Sequence, residues 1–174
     1  MTRVQKTRAK ILSGPEAARA VNAAQRRGEK VVFTSGCFDL LHVGHLRSLQ
    51  EARSYGDRLV VAVNSDASVK RIKGPGRPII PMRQRVELLA SLECVDWVTS
   101  FRGDTPRAMI GALNPDVFAK GGEWPLETLL AQDVPAAGWE GRVKRLRQVP
   151  GIRTSEIVER IREKRESSQR RSRP

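Results

Sequence analysis

Histidine is nearly absent from this chain: its 174 residues hold two, His42 and His45, and two cysteines, Cys37 and Cys94, lie far apart. There is no CxxC pair and no finger-like His/Cys spacing, which argues against a zinc module. Two isolated cysteines read as free thiols of a reducing compartment. No apolar run approaches the roughly 20 residues that cross a bilayer. The basic start, Met1-Thr2-Arg3-Val4-Gln5-Lys6, leads into no apolar leader segment. A cytoplasmic protein with no membrane partner is expected. The GxxxxGK[ST] phosphate loop and the GxGxxG fingerprint are both missing, which disfavours a P-loop enzyme and a dinucleotide oxidoreductase. Internal repeats are missing too.

What is present is the composition of a globular protein, 39% apolar and 29% charged, of a size for one domain with a real core. The net charge of +13 invites a polyanion partner. Its distribution argues otherwise, because residues 1–10 carry +4 and residues 160–174 carry +5. The excess sits mainly in two ends that read as solvated and frayed. The expected division is a basic extension over 1–12, a folded domain over 13–162 and a basic, disordered tail over 163–174. Nucleic acid is not an expected partner, although a noncatalytic polyanion-binding module stands as the rival from another class.

Strand and helix signals alternate along the chain. Ser13-Gly14-Pro15-Glu16 has capping-box spacing before a helix from Ala17 to Gln25. Strands are predicted over Val31–Thr34, Leu59–Val63, Val95–Val98, Asp116–Ala119 and Arg142–Leu146. Helices are predicted from Val43 to Tyr55, Met82 to Leu92, Thr105 to Leu113 and Thr154 to Ile161. Asn64 to Pro81 reads as a basic loop, and Glu123 to Gly141 as a short helix among loops. The alternation gives an α/β fold, a doubly wound Rossmann-like parallel sheet in a single domain.

Residues 36–45 read Gly-Cys-Phe-Asp-Leu-Leu-His-Val-Gly-His, between a predicted strand and a predicted helix. Open parallel sheets bind ligands at such a turn, beyond the carboxyl ends of their strands. A helix N-terminus there offers free N–H groups and a positive dipole end to a phosphate. His42 and His45, flanking Gly44 on the first helical turn, add donors for its oxygens; ordinary surface histidines beside a cap are the plainer reading. Asp39 can hold a metal-bound water or a ribose hydroxyl, or simply brace the turn. Cys37 invites a nucleophile reading, but no third histidine is available as its base, and a small buried turn residue explains it as well.

Four further segments carry candidates. Asn64-Ser65-Asp66 follows the second strand, where Ser65 or Asp66 equally suits a helix cap. Lys73 stands in the basic loop, followed by Arg77, Arg83 and Arg85, cations of the kind that polyphosphates need. Lys120-Gly121-Gly122 presents a lysine at a strand end. Arg153-Thr154-Ser155 opens the last helix and offers a second phosphate seat or an ordinary N-cap.

The turn matches the HxGH signature of the nucleotidyltransferase superfamily of cytidylyltransferase type. The likeness extends through Ala52-Arg53, Gly56-Asp57, Val61 to Asp66, Lys73-Gly74, Arg77-Pro78, Val95 to Val98, Asp104-Thr105-Pro106, Pro115-Asp116 and Lys120-Gly121-Gly122. Within the superfamily the chain resembles, over about residues 28–162, the adenylyltransferases that make ADP-heptose from heptose 1-phosphate. The late motif departs from their Ser-Thr-Thr, reading Arg153-Thr154-Ser155.

The resemblance implies an enzyme that uses ATP with Mg²⁺. His42, His45 and Lys73 are then catalytic. Gly36, Cys37, Phe38, Asp39, Gly44, Asn64, Asp66, Arg85, Lys120, Gly121, Thr154 and Ser155 bind nucleotide or phosphate. Mg²⁺ is held mainly by phosphates and water, with Asp39 a candidate ligand. It also implies a homodimer, and a heptose kinase on a separate chain, since none fits in this length. Cytidylyltransferases for glycerol 3-phosphate or another small phosphate ester are the rival within the class, with flavin or pantetheine phosphate adenylyltransferases behind them.

Overall fold

The computed structural model describes residues 2–122, 125–135, 137–147, 149 and 151–171. Five strands form one parallel sheet in the order β3-β2-β1-β4-β5: β1 (Val31–Gly36), β2 (Arg58–Asn64), β3 (Trp97–Phe101), β4 (Val117–Gly121) and β5 (Arg142–Leu146). The runs Val31-Val32-Phe33 and Leu59 to Val63 are buried throughout, as parallel strands covered on both faces require.

Successive side chains feed two cores. Val32, Val61, Val63 and Val98 pack with Leu49 and Ala52 of α3 (Val43–Arg53) and with Val86, Leu89 and Ala90 of α5 (Met82–Ala90). Phe33, Val60, Ala62 and Phe118 pack with Ala17, Val21 and Ala24 of α2 (Gly14–Arg26) and with Ile110 and Leu113 of α6 (Arg107–Leu113). The doubly wound α/β expectation therefore holds. So does the capping box that opens α2, where Glu16 accepts from the Ser13 N–H at 2.8 Å.

Four segments differ from the sequence expectation, the first being β3, which runs from Trp97 to Phe101 in place of the expected Val95–Val98. The basic loop contains a helix, α4 (Asp66–Lys73), capped by the Ser65 hydroxyl accepting from the Ser68 N–H. The N-terminal extension is not frayed. It forms α1 (Arg3–Ala9), and the chain then pairs with the edge of β3, with Val98 N–H donating to Lys10 O at 2.8 Å and Leu12 N–H donating to Val98 O at 2.9 Å. Lys10 Nζ donates to the carbonyls of Leu92 and Val95, so an exposed sheet edge is covered. The last helix, α8 (Thr154–Arg171), continues ten residues beyond the expected Ile161. The short helix expected within 123–141 is α7 (Leu126–Asp133).

The topology reverses at β1. From there the chain winds outward through β2 and β3, then returns to place β4 on the other side. The crevice between the carboxyl ends of β1 and β4 is the switch point at which such sheets bind ligands. The HxGH turn leaves β1 there, and Lys120-Gly121-Gly122 leaves β4.

Candidate active site

His42 is the N-cap of α3, in extended backbone, and its Nδ1 accepts from the His45 N–H at 3.4 Å. Accepting at Nδ1 assigns the neutral ring's proton to Nε2, which is left as a donor. The two imidazoles stack with centroids 3.9 Å apart, and Phe38 packs edge-on to His45 at 5.4 Å. Gly44 permits the stack, since a Cβ there would lie 2.9 Å from the His42 ring and 3.2 Å from Ile152. Phe38 holds a left-handed backbone, φ 47°, a strain of about 1–3 kcal/mol for a bulky residue. Strain of this kind persists only where surrounding packing imposes it.

Burial drives both imidazoles toward the neutral form. His45 is pushed down to about 4, first by burial and then by the neighbouring His42, with the Leu40 carbonyl acting the other way. His42 is lowered by burial, partly offset by the Glu156 carboxylate. Among the described residues, His45 Nδ1 is one of three buried side-chain polar atoms without a hydrogen-bond partner, and the one at the turn. A buried polar atom without a partner normally costs about 1–3 kcal/mol, so it invites a ligand.

The other elements converge on this turn. Ile152 against Gly44 brings the start of α8 to the histidines, with Thr154 half-buried and Ser155 exposed at its first two positions. Glu156 accepts from the Arg153 N–H at 3.2 Å, an N-terminal cap. The charges of Lys73, at the end of α4, and Lys120, at the end of β4, both reach the Cys37 thiol. Burial nevertheless pushes that thiol up, which leaves it protonated near neutral pH and a poor nucleophile.

The cytidylyltransferase-like family model matches residues 33–167, from β1 through the histidine turn into α8. The chain belongs to the cytidylyltransferase-like family. The family is one of nucleotidyltransferases. It is 51% identical over 151 residues to the bifunctional protein HldE of Alkalilimnicola ehrlichii, covering 87% of this chain and 31% of that one. The HldE of Syntrophotalea carbinolica is 50% identical over 137 residues, covering 79% and 28%. The chain spans about a third of the length of these curated relatives. A crystal structure of a lipopolysaccharide core biosynthesis protein from Thermoplasma volcanium matches with a TM-score of 0.57 and 27% identity, over 70% of this chain and 99% of that one.

Several residues expected on ligand have another part in this cytidylyltransferase-like protein. Arg85 is 1% exposed. Its guanidinium donates to the carbonyls of Ile80 at 2.9 Å, Asn64 at 2.9 Å and Cys37, and to Asp66 Oδ1 at 2.7 Å. With its donors so committed, it braces the site from beneath instead of meeting phosphate. Asp66 also accepts from the Met82 N–H, tying α4 to α5. Asn64 donates to Ser68 Oγ and the Gly103 carbonyl, and is buried.

Asp39 is likewise spent. Its Oδ2 accepts from Arg77 at 2.6 Å, and its Oδ1 accepts from the N–H groups of Ile79 and Ile80. Burial pushes its carboxyl up, but the Ile80 N–H, Arg77 and the Ile79 N–H outweigh that and hold it below the usual range. Both oxygens are occupied by the 77–80 segment, so the bracing alternative describes Asp39 and a metal-ligand role does not fit. No group of three or more His, Cys, Asp or Glu suited to a metal ion exists among the described residues. Nor is any described helix long and apolar enough to cross a membrane. Sequence reasoning missed Asp133, whose carboxylate meets Lys120 at 2.9 Å; it lies in the weakly patterned stretch, where no spacing rule points to it.

Proposed function

We propose that this chain transfers AMP from ATP to heptose 1-phosphate, releasing pyrophosphate and giving ADP-heptose. The observation that carries the reading is the pair of stacked, neutral imidazoles at a helix N-terminus, one presenting Nε2–H and the other an unpartnered buried Nδ1. Such a site receives the oxygens of a polyphosphate. The heptose acceptor is supported by about 50% identity to HldE proteins over most of the chain, and by a structural neighbour described as a lipopolysaccharide core biosynthesis protein.

In this reaction an ionised oxygen of the sugar phosphate attacks the α-phosphorus in line. The bond from that phosphorus to the bridging oxygen of the β-phosphate breaks, and pyrophosphate leaves with the electron pair. The nucleophile is already deprotonated near neutral pH, so no general base is needed, in keeping with a protonated Cys37. Catalysis rests on positioning and on stabilising developing charge. His42 and His45 donate to the α- and β-phosphate oxygens, Lys73 and Lys120 neutralise charge, and the Thr154-Ser155 helix start seats the terminal phosphates. A Mg²⁺ ion accompanying ATP would supply charge neutralisation to the departing pyrophosphate; Asp39, its candidate ligand from the sequence, is buried and already accepts three hydrogen bonds from the 77–80 segment. We further propose a homodimer, and a kinase reaction as the source of the sugar phosphate.

The test is pyrophosphate release with Mg²⁺, crossing ATP, CTP, GTP and UTP against both anomers of heptose 1-phosphate and glycerol 3-phosphate. Release with ATP and one heptose anomer is expected. Release with CTP and glycerol 3-phosphate keeps the fold and chemistry but overturns the substrate.

A further inference from the structure

Asp133 is the last residue of α7 and is 7% exposed. A carboxylate at a helix C-terminus faces the negative end of the dipole, and burial removes it from water; both cost free energy. Lys120 compensates: its Nζ lies 2.9 Å from Asp133 Oδ2, and the two side chains are 20% and 10% exposed. The same ammonium stands 5.9 Å from the centroid of the Phe118 ring. Lys120 is therefore held on two sides at the switch point, where β4 ends beside the histidine turn.

An ammonium has three N–H donors, and one carboxylate oxygen engages one of them. A free lysine forfeits up to about 2 kcal/mol of side-chain entropy when it is fixed on a ligand. Here that ordering occurs on folding, and the remaining donors stay at the crevice. We propose that Asp133 is a positioning residue that holds the Lys120 ammonium ready for a phosphate-ester oxygen of the substrates. The inference rests on the reading of Lys120 as a phosphate ligand. Displacements of about 1 Å at such a group can cost a hundredfold in rate, so a fixed ammonium matters.

The experiment compares the full chain with Lys120→Met, Asp133→Asn, Asp133→Glu and the double variant Lys120→Met/Asp133→Asn. Pyrophosphate release gives kcat and KM for each substrate, and thermal unfolding runs alongside. Lys120→Met is expected to lower kcat/KM by about a hundredfold. Asp133→Asn should lower it at least about tenfold per folded molecule, and add less than about twofold in the Lys120→Met background. Asp133→Glu keeps the charge but shifts the ammonium by a methylene, and should also lose about tenfold with Tm preserved. A lowered Tm with wild-type kcat and KM, or effects that multiply in the double variant, overturns the proposal. If Asp133→Asn does not fold, wild-type kcat/KM in Asp133→Glu overturns it instead. Loss in Lys120→Met without loss in the Asp133 variants sinks this inference alone, whereas an unaffected Lys120→Met removes the reading beneath it.

Discussion

The ends of β1 and β2 are neighbours in the sheet and both carry polar residues, yet they are built in opposite ways. Beyond β1 the polar groups are left open: His42 offers Nε2–H, and His45 keeps a buried Nδ1 without a partner. Beyond β2 they are closed at Asn64 and the incoming Arg85, which spend their donors on Ser68, on carbonyls and on Asp66 Oδ1, while the Asp66 carboxylate itself stays half-exposed. Asp39 belongs with the closed set although it lies only three residues before His42. Position at the ligand-binding edge of a sheet therefore does not assign a role. The state of a residue's hydrogen-bonding capacity does, because a saturated group must break protein bonds before it can meet a ligand.

The sharpest way to break this contrast is Arg85→Met. It leaves the carbonyls of Cys37, Asn64 and Ile80 without their buried donor, and should cost about 3–5 kcal/mol of stability in urea unfolding. A loss under about 1 kcal/mol would mean the frame is not held by Arg85. His45→Ala should do the reverse, lowering kcat by about 10²–10³ while Tm changes little. Turnover near wild type from folded His45→Ala protein would refute the catalytic part of the histidine turn.

Acid titration of stability separates the two regions further. The His45 pKa falls from its ordinary 6.5 to about 4 in the folded protein, so the unfolded chain binds the extra proton first as pH drops. Its contribution is fully present above about pH 6.5, is lost between there and about pH 4, and amounts to at most ~3 kcal/mol. Replacing His45 with Gln should flatten that limb of a urea-midpoint profile; an unchanged slope would contradict the assignment. The smallest effect is expected from the basic tail. Deleting residues 163–174 should change kcat/KM less than about twofold and abolish only salt-sensitive polyanion binding. Loss of activity on that deletion would give the tail a part in the site.

The histidine turn was legible because its geometry is local. A cap, a glycine and a second histidine within one helical turn must share a site whatever the remainder of the chain does. Four of the five strands were legible where they stand, since runs such as Leu59 to Val63 between polar signals suit a fully buried parallel strand, whereas β3 begins two residues past the expected Val95 and runs on to Phe101. Helix α4 was hidden because Lys70, Arg71, Lys73 and the glycines and prolines after it dominate the segment, while its buried face is little more than Ser68 and Val69. The N-terminal segment was hidden because it docks through backbone bonds to β3, through Lys10 reaching carbonyls and through only two apolar side chains, Ile11 and Leu12, too few to leave a hydrophobic pattern.

By itself the sequence determined the parallel α/β sheet and the place where its chemistry begins, for these follow from periodicity and from residues adjacent along the chain. Only the tertiary structure decided which polar residues remain open. Arg85 reaches Cys37 across 48 positions and Arg77 reaches Asp39 across 38, which closes those groups, whereas Asp133 meets Lys120 from another helix through one contact and leaves the ammonium further donors. Partnerships between distant segments are set by how the elements pack, and hydrogen bonds spent in that packing are no longer available to a ligand.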